Sequence, residues 1–62
     1  MSLVANLKIE DNGEMWAWCP ACGKQVEVWE DEYYQTLDDG NKEYDVTCSC
    51  GESFYASESY YN

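Results

Sequence analysis

Histidine and arginine are absent from this chain, and lysine occurs three times, as Lys8, Lys24 and Lys42. Without histidine, the usual general base near neutral pH is missing, and so is the usual nitrogen ligand for a metal. With so few cations, the chain has little with which to neutralise phosphates, the main source of affinity for a nucleic acid backbone. Direct DNA or RNA binding is therefore not expected, nor is adhesion to an anionic membrane surface. Proline occurs once, as Pro20, and no stretch approaches the roughly 20 apolar residues that span a bilayer. Residues 1–9 lack both the basic start and the apolar run of a secretory leader, so a cytoplasmic address is expected, in a host cell if the chain is phage-encoded.

What is present begins with acid. Thirteen Asp and Glu residues set a formal net charge of −10 over 62 residues. Such a charge keeps a small aromatic domain in solution, and it also suits a basic partner surface. The length allows one domain, 1–62, with no room for a catalytic cleft beside a separate core. A chain this short buries only roughly 60% of its unfolded surface, so its core is marginal without a staple. No enzymatic activity is expected.

Along the chain, local patterning is that of β structure. Residues 3–18 read as an N-terminal hairpin turning at Asn12-Gly13, a pair that favours two positive φ angles. Gln25–Glu30 alternates with period two and places Val26 and Val28 on one face. Tyr33–Leu37 and Lys42–Thr47 form a second pair of strands around the Asp38-Asp39-Gly40-Asn41 turn, and Ser53–Ser57 is a further strand. Glu30–Tyr34 has room for one helical turn at most. Alternation and hydrophobicity together nominate Trp16, Trp18, Val26, Val28, Tyr44, Val46 and Phe54 for the core. Trp29, Tyr33, Tyr34, Tyr55, Tyr60 and Tyr61 exceed what such a core can hold, and some of them must reach the surface, where aromatics anchor protein interfaces.

The four cysteines carry the chemistry. They stand in two close pairs, Cys19-Pro20-Ala21-Cys22-Gly23 and Cys48-Ser49-Cys50-Gly51. In an intracellular chain, thiols stay reduced, and paired cysteines at this spacing point to a tetrahedral metal site rather than to disulfides. Residues 16–56, with the two cysteine knuckles, the intervening strands and Phe54 after the second knuckle, resemble the zinc ribbon (rubredoxin-like) superfamily. The resemblance implies a small all-β metal-bound domain with four to six short antiparallel strands. It implies one Zn2+ held by Cys19, Cys22, Cys48 and Cys50. Iron is the alternative occupant, because rubredoxins are also small, acidic and aromatic, and that occupant would make the chain an electron carrier. Two departures weigh against it: the second pair is one residue shorter, and Lys24 stands where rubredoxins carry an aromatic residue.

Carboxylates gather between the knuckles, at Glu27, Glu30, Asp31, Glu32, Asp38, Asp39, Glu43 and Asp45. Glu43 and Asp45 share a strand face, and Glu30 and Glu32 share one if that stretch is extended. Glu30, Asp31, Glu32, Tyr33, Tyr34, Asp38, Asp39, Glu43 and Asp45 thus make a candidate partner-binding face. Such a face could imitate nucleic acid phosphates toward a basic groove. The expectation is a non-enzymatic, protein-binding zinc ribbon of a phage or bacterial regulator, an inhibitor of a nucleic-acid-handling protein. The competing class is a structural subunit of a larger transcription or phage assembly.

Overall fold

A computed structural model describes residues 3–60. Six strands run β1 Leu3–Ile9, β2 Met15–Trp18, β3 Gln25–Val28, β4 Tyr33–Thr36, β5 Lys42–Thr47 and β6 Ser53–Ser57, with short 3₁₀ turns at Glu30–Glu32 and Glu58–Tyr60. They form one sheet in the order β3-β2-β1-β6-β5-β4. Two antiparallel three-stranded meanders meet at its centre. There β1 and β6 run parallel, in the register Leu3↔Phe54 to Asn6↔Ser57. The expected strands are present, but the sheet is not wholly antiparallel. Hairpin pairing links only neighbours in sequence, so joining the two meanders leaves the outer sides of β1 and β6 to find each other. Among the described residues no helix is long and apolar enough to cross a membrane.

Connectivity forces this sheet to curl. Its two edges, β3 and β4, follow one another in sequence with only Trp29–Glu32 between them. Five strand spacings of about 4.8 Å would hold the edges of a flat sheet about 24 Å apart. The five residue steps from Val28 to Tyr33 reach at most about 18 Å when fully extended. The edges must therefore bend toward each other, and the resulting body measures 29 × 28 × 24 Å.

The concave face is the core. Ala5, Leu7, Met15, Ala17, Val28, Tyr44, Val46, Phe54 and Ala56 are buried there, with Val26 packed against them. Strand registers place them opposite one another, as in Leu7↔Ala17, Met15↔Val28 and Val46↔Phe54. Trp16 and Trp18, expected inside, lie on the convex face, Trp18 being 41% exposed. Period-two alternation admits Met15, Ala17 and Cys19 to the core and so sends both indoles out. Tyr33 and Tyr34 are exposed as well, whereas Tyr61 lies outside the described residues.

Three of the connections share one design. In Glu10–Glu14, Leu37–Asn41 and Cys48–Glu52 the first amide donates to the fifth carbonyl, at 2.7–2.9 Å, and the fourth residue, a glycine, donates back to the first carbonyl at 2.9–3.0 Å. These are three-residue hairpin loops closed by a glycine of positive φ. The Asn12-Gly13 turn is thus of this kind, and Asn12 does not adopt the second positive φ expected of it. Its side chain instead accepts the Glu14 amide at 3.0 Å.

Candidate metal centre

Both cysteine pairs are built into hairpin turns at the same end of the sheet. The first joins β2 to β3, where Cys19 N–H donates to the Lys24 carbonyl at 2.9 Å and Gly23 N–H to the Cys19 carbonyl at 2.7 Å. The second, joining β5 to β6, is the five-residue turn just described. That accounts for the shortened Cys48-x-Cys50 spacing: the second knuckle is an ordinary three-residue loop, while the first is one residue longer. Gly23 and Gly51 have φ of 79° and 95°. An L residue there would be strained, so each glycine allows its turn to close beneath the sulfurs.

Strand phase decides how deep each sulfur lies. Cys19 continues the inward series Met15-Ala17, and Cys48 continues Tyr44-Val46, so both are buried, at 2% and 3% exposure. Cys22 and Cys50, further along each turn, are exposed. All four are free thiols. The curl of the sheet brings the two turns together across the concave face. Cys22 Sγ lies 3.5 Å from Cys48 Sγ, Cys19 Sγ lies 3.7 Å from Cys50 Sγ, and all four sulfurs fall within 4.8 Å of one another. A tetrahedron with metal–sulfur bonds of about 2.3 Å has edges of about 3.8 Å, close to these separations. Four soft sulfur donors at tetrahedral spacing fit a thiophilic cation.

Thiol electrostatics lead the same way. The backbone N–H of Cys50, reinforced by the neighbouring thiols, lowers the Cys48 thiol to about 7 against the cost of burial. At Cys50 the Glu52 backbone amide lowers the thiol, but hydrogen bonds with Cys48, Cys19 and Cys22, together with burial, outweigh it and push the value up to about 12. Once one thiol ionises, the next is opposed. A bound cation removes that conflict, because coordination deprotonates thiols outright.

No family model matches this chain, and no curated protein or solved structure is significantly similar to it. The structure supports a small all-β domain with four cysteines positioned to hold one metal ion.

The residues read as a partner face divide between several settings. Glu30, Asp31 and Glu32 form the 3₁₀ turn between β3 and β4 and not an extended row. Glu32 Oε1 accepts the Trp29 amide at 2.9 Å, which caps that turn. Tyr33 and Tyr34 follow on β4; Tyr33 meets Tyr44 edge to face and Tyr34 packs on Tyr55, with ring centroids 5.1 Å apart. Asp38 and Asp39 occupy the Leu37–Asn41 turn, at the end of β5 opposite the cysteines. Asp39 accepts hydrogen bonds from Ser59 Oγ and the Asn41 amide, and these bonds lower its carboxyl below the usual range.

Glu43 and Asp45 do share the convex face, yet they differ in access. Asp45 is exposed, whereas Glu43 is 3% exposed beneath the C-terminal 3₁₀ turn. Its carboxylate accepts hydrogen bonds from Tyr60 OH and, at 2.7 Å, from Gln35 Nε2. Glu43 therefore holds the C-terminal segment against the sheet and is not offered to a partner. The signal for this role is the distant Tyr60, which local alternation does not connect to it.

Proposed function

We propose that this chain is a zinc ribbon that works by binding another protein. Cys19, Cys22, Cys48 and Cys50 hold one Zn2+, which staples the two cysteine turns and closes one end of the curled sheet. The filled d-shell of zinc supports no redox step, and four thiolates leave no open position for a substrate. The metal is structural in this reading. The work falls to the surface, which is directed at a basic partner, a nucleic-acid-handling protein that the ribbon regulates or inhibits.

One observation carries the partner reading: acids dominate the exposed surface almost unopposed. The net charge is −10, and among the described residues the one ion pair is Lys8–Glu10, at 3.8 Å. Beside these acids stand exposed Trp29, Tyr33 and Tyr34, side chains of the type that anchors interfaces. Carboxylates on a stapled β surface are also a geometry on which phosphate mimicry can be built.

The test has two arms. Protein produced with ample zinc and iron should carry one equivalent of zinc by elemental analysis and be colourless; stoichiometric iron with a reversible redox wave would establish the electron-carrier reading in its place. A partner captured from native extract and identified should be basic, should dissociate as salt rises, and should lose this protein to competing nucleic acid. A ternary complex with nucleic acid would eliminate mimicry.

A further inference from the structure

The end of the curled sheet opposite the cysteines is open. Strand phase carries Ile9 and Lys42 onto the concave face, two residues beyond Leu7 and Tyr44, and Tyr33 joins them as the direct cross-strand partner of Tyr44. With Met15 of β2 and Glu30 of the 3₁₀ turn, they line a cavity of about 500 Å³. A smaller lobe of about 280 Å³ shares Ile9, Lys42 and Tyr44 with it and is bounded by Glu58. Tyr33 and Tyr44 meet edge to face, with ring centroids 6.1 Å apart. Tyr44 is 5% exposed, yet its hydroxyl makes no hydrogen bond among the described residues. No sealed polar side-chain atom among them lacks a partner, so this hydroxyl opens on the cavity. Burial, followed by the charges of Glu30, Tyr33 and Glu58, pushes the Tyr44 phenol up, in keeping with an oxygen that sits at the mouth. Nine of the thirteen acids ring that mouth: three in Glu10–Glu14, three in Glu30–Glu32, two in Leu37–Asn41 and one in Glu58–Tyr60.

We infer that this cavity receives a tryptophan side chain from a basic segment of the partner, its indole N–H donating to the Tyr44 hydroxyl. The inference rests on the reading of the protein as a binder of basic surfaces and adds the anchor residue to it. Each lining group suits an aromatic guest. The Tyr33–Tyr44 pair offers ring edges, Met15 offers a thioether, and Lys42, which forms no ion pair among the described residues, offers an ammonium to the indole face. The unpartnered hydroxyl favours a guest that carries a donor, and so disfavours phenylalanine. The volume lies within the range of about 300–1,000 Å³ usual for pockets that enclose a small group. An aromatic anchor in a pocket with a charged rim is also the arrangement in which interfaces concentrate their binding energy. Lysine or arginine residues flanking the tryptophan meet the acidic turns. A second copy of this chain would bring Trp18 or Trp29 on an equally acidic surface, and nucleic acid bases would bring phosphates, so the rim opposes both.

The experiment titrates metal-loaded, full-length, 15N-labelled protein with the acetylated, amidated tripeptide Lys-Trp-Lys. The matching Lys-Phe-Lys and Glu-Trp-Glu peptides serve as comparisons. Saturable amide shifts centred on Ile9, Gly13, Met15, Tyr33 and Lys42, at least tenfold weaker with either comparison peptide, support the proposal. Y44F keeps the ring and removes the hydroxyl, and should abolish the preference for tryptophan over phenylalanine with the rest of the spectrum unchanged. K42Q should weaken the tryptophan peptide several-fold, whereas K8Q, which removes the same charge on the convex face, should not. Equal response to the phenylalanine peptide, a tryptophan preference that survives Y44F, or shifts centred on the convex face would overturn it. Shifts at the same residues on concentrating the protein alone would also overturn it, by making a second copy the occupant. An identified basic partner that binds in a salt-dependent way but ignores Y44F and K42Q overturns this site and leaves the proposed function standing. Tryptophan-selective shifts in a protein that captures no basic partner would do the reverse.

Discussion

Removing the metal should unfold the protein, and the two kinds of cysteine should respond differently to replacement. The core is thin: three of its members, Ala5, Ala17 and Ala56, are alanines, and its largest fully buried side chain is the single Phe54. A core of this class contributes a net of about 3–5 kcal/mol at most. Structural zinc in small ribbons contributes about 10–16 kcal/mol of apparent binding energy near pH 7. The loss therefore exceeds the reserve several-fold, and chelation should collapse the dispersed amide spectrum and the near-ultraviolet circular dichroism of the tryptophans together. Cys48→Ser and Cys50→Ser both remove one ligand. Cys50 faces solvent, so water can occupy the vacant position, and excess zinc should restore the fold of Cys50→Ser. Cys48 is buried, and a serine there adds the cost of an unsatisfied hydroxyl, about 1–3 kcal/mol. Cys48→Ser should stay unfolded at zinc concentrations that rescue Cys50→Ser. A fully dispersed spectrum after exhaustive chelation would refute the staple. Equal rescue of both variants would refute the assignment of depth.

Phe54→Ala should cost about 3–5 kcal/mol; the metal-loaded protein should remain folded but melt at least ten degrees lower by differential scanning calorimetry, and an unchanged melting temperature would contradict the burial of Phe54. Tyr60 is pushed up to about 12 by its hydrogen bond to Glu43, with burial adding to the effect. The unfolded phenol titrates near about 10. The contribution of Tyr60 to stability is therefore complete below about pH 10 and is lost as pH rises through about 12. Tyr60→Phe should remove that alkaline step from a tyrosinate titration followed by absorbance, and should loosen residues 58–60 in hydrogen exchange. Neutralising Glu30, Asp31 and Glu32 together should slow association with a basic partner more than it speeds dissociation, as measured by stopped-flow mixing at two salt concentrations. Tyr34→Ala should chiefly raise the dissociation rate.

Much of the fold was legible because β3, β5 and β6 each carry their own alternation and each hairpin turn its own glycine. Strands β3 to β6 fall where Val26-Val28, Tyr33-Tyr34, Tyr44-Val46 and Phe54-Ala56 place them. The four cysteines were legible too, since spacing is a local property. Trp16 and Trp18 lie outside despite their hydrophobicity because strand phase outranks it. Cys19 must turn toward the other sulfurs, and counting back from it by twos selects Ala17 and Met15. The parallel junction of β1 with β6 has no local signature, since it follows from how two meanders with complementary free edges share one sheet. The burial of Glu43 was hidden for a related reason. A carboxylate with alternating neighbours looks solvated until its hairpin partner Gln35 and the more distant Tyr60 are brought over it.

If the four cysteines hold a metal as proposed, charge and metal are linked energetically. Self-repulsion among carboxylates disfavours the compact state, and a core built largely on alanine, valine and one phenylalanine has little with which to oppose it. An uncharged β domain of this length could rely on idealised packing; this one carries acid along its convex face and its turns and gives several aromatic side chains to solvent. On the proposed reading, coordination by the four cysteines at one end of the sheet would replace the missing core energy, through two buried and two exposed sulfurs. The turn at the opposite end of the sheet and the Asp45 side chain remain exposed. A metal staple would thus let so short a chain keep its exposed acids and tyrosines on a fixed frame.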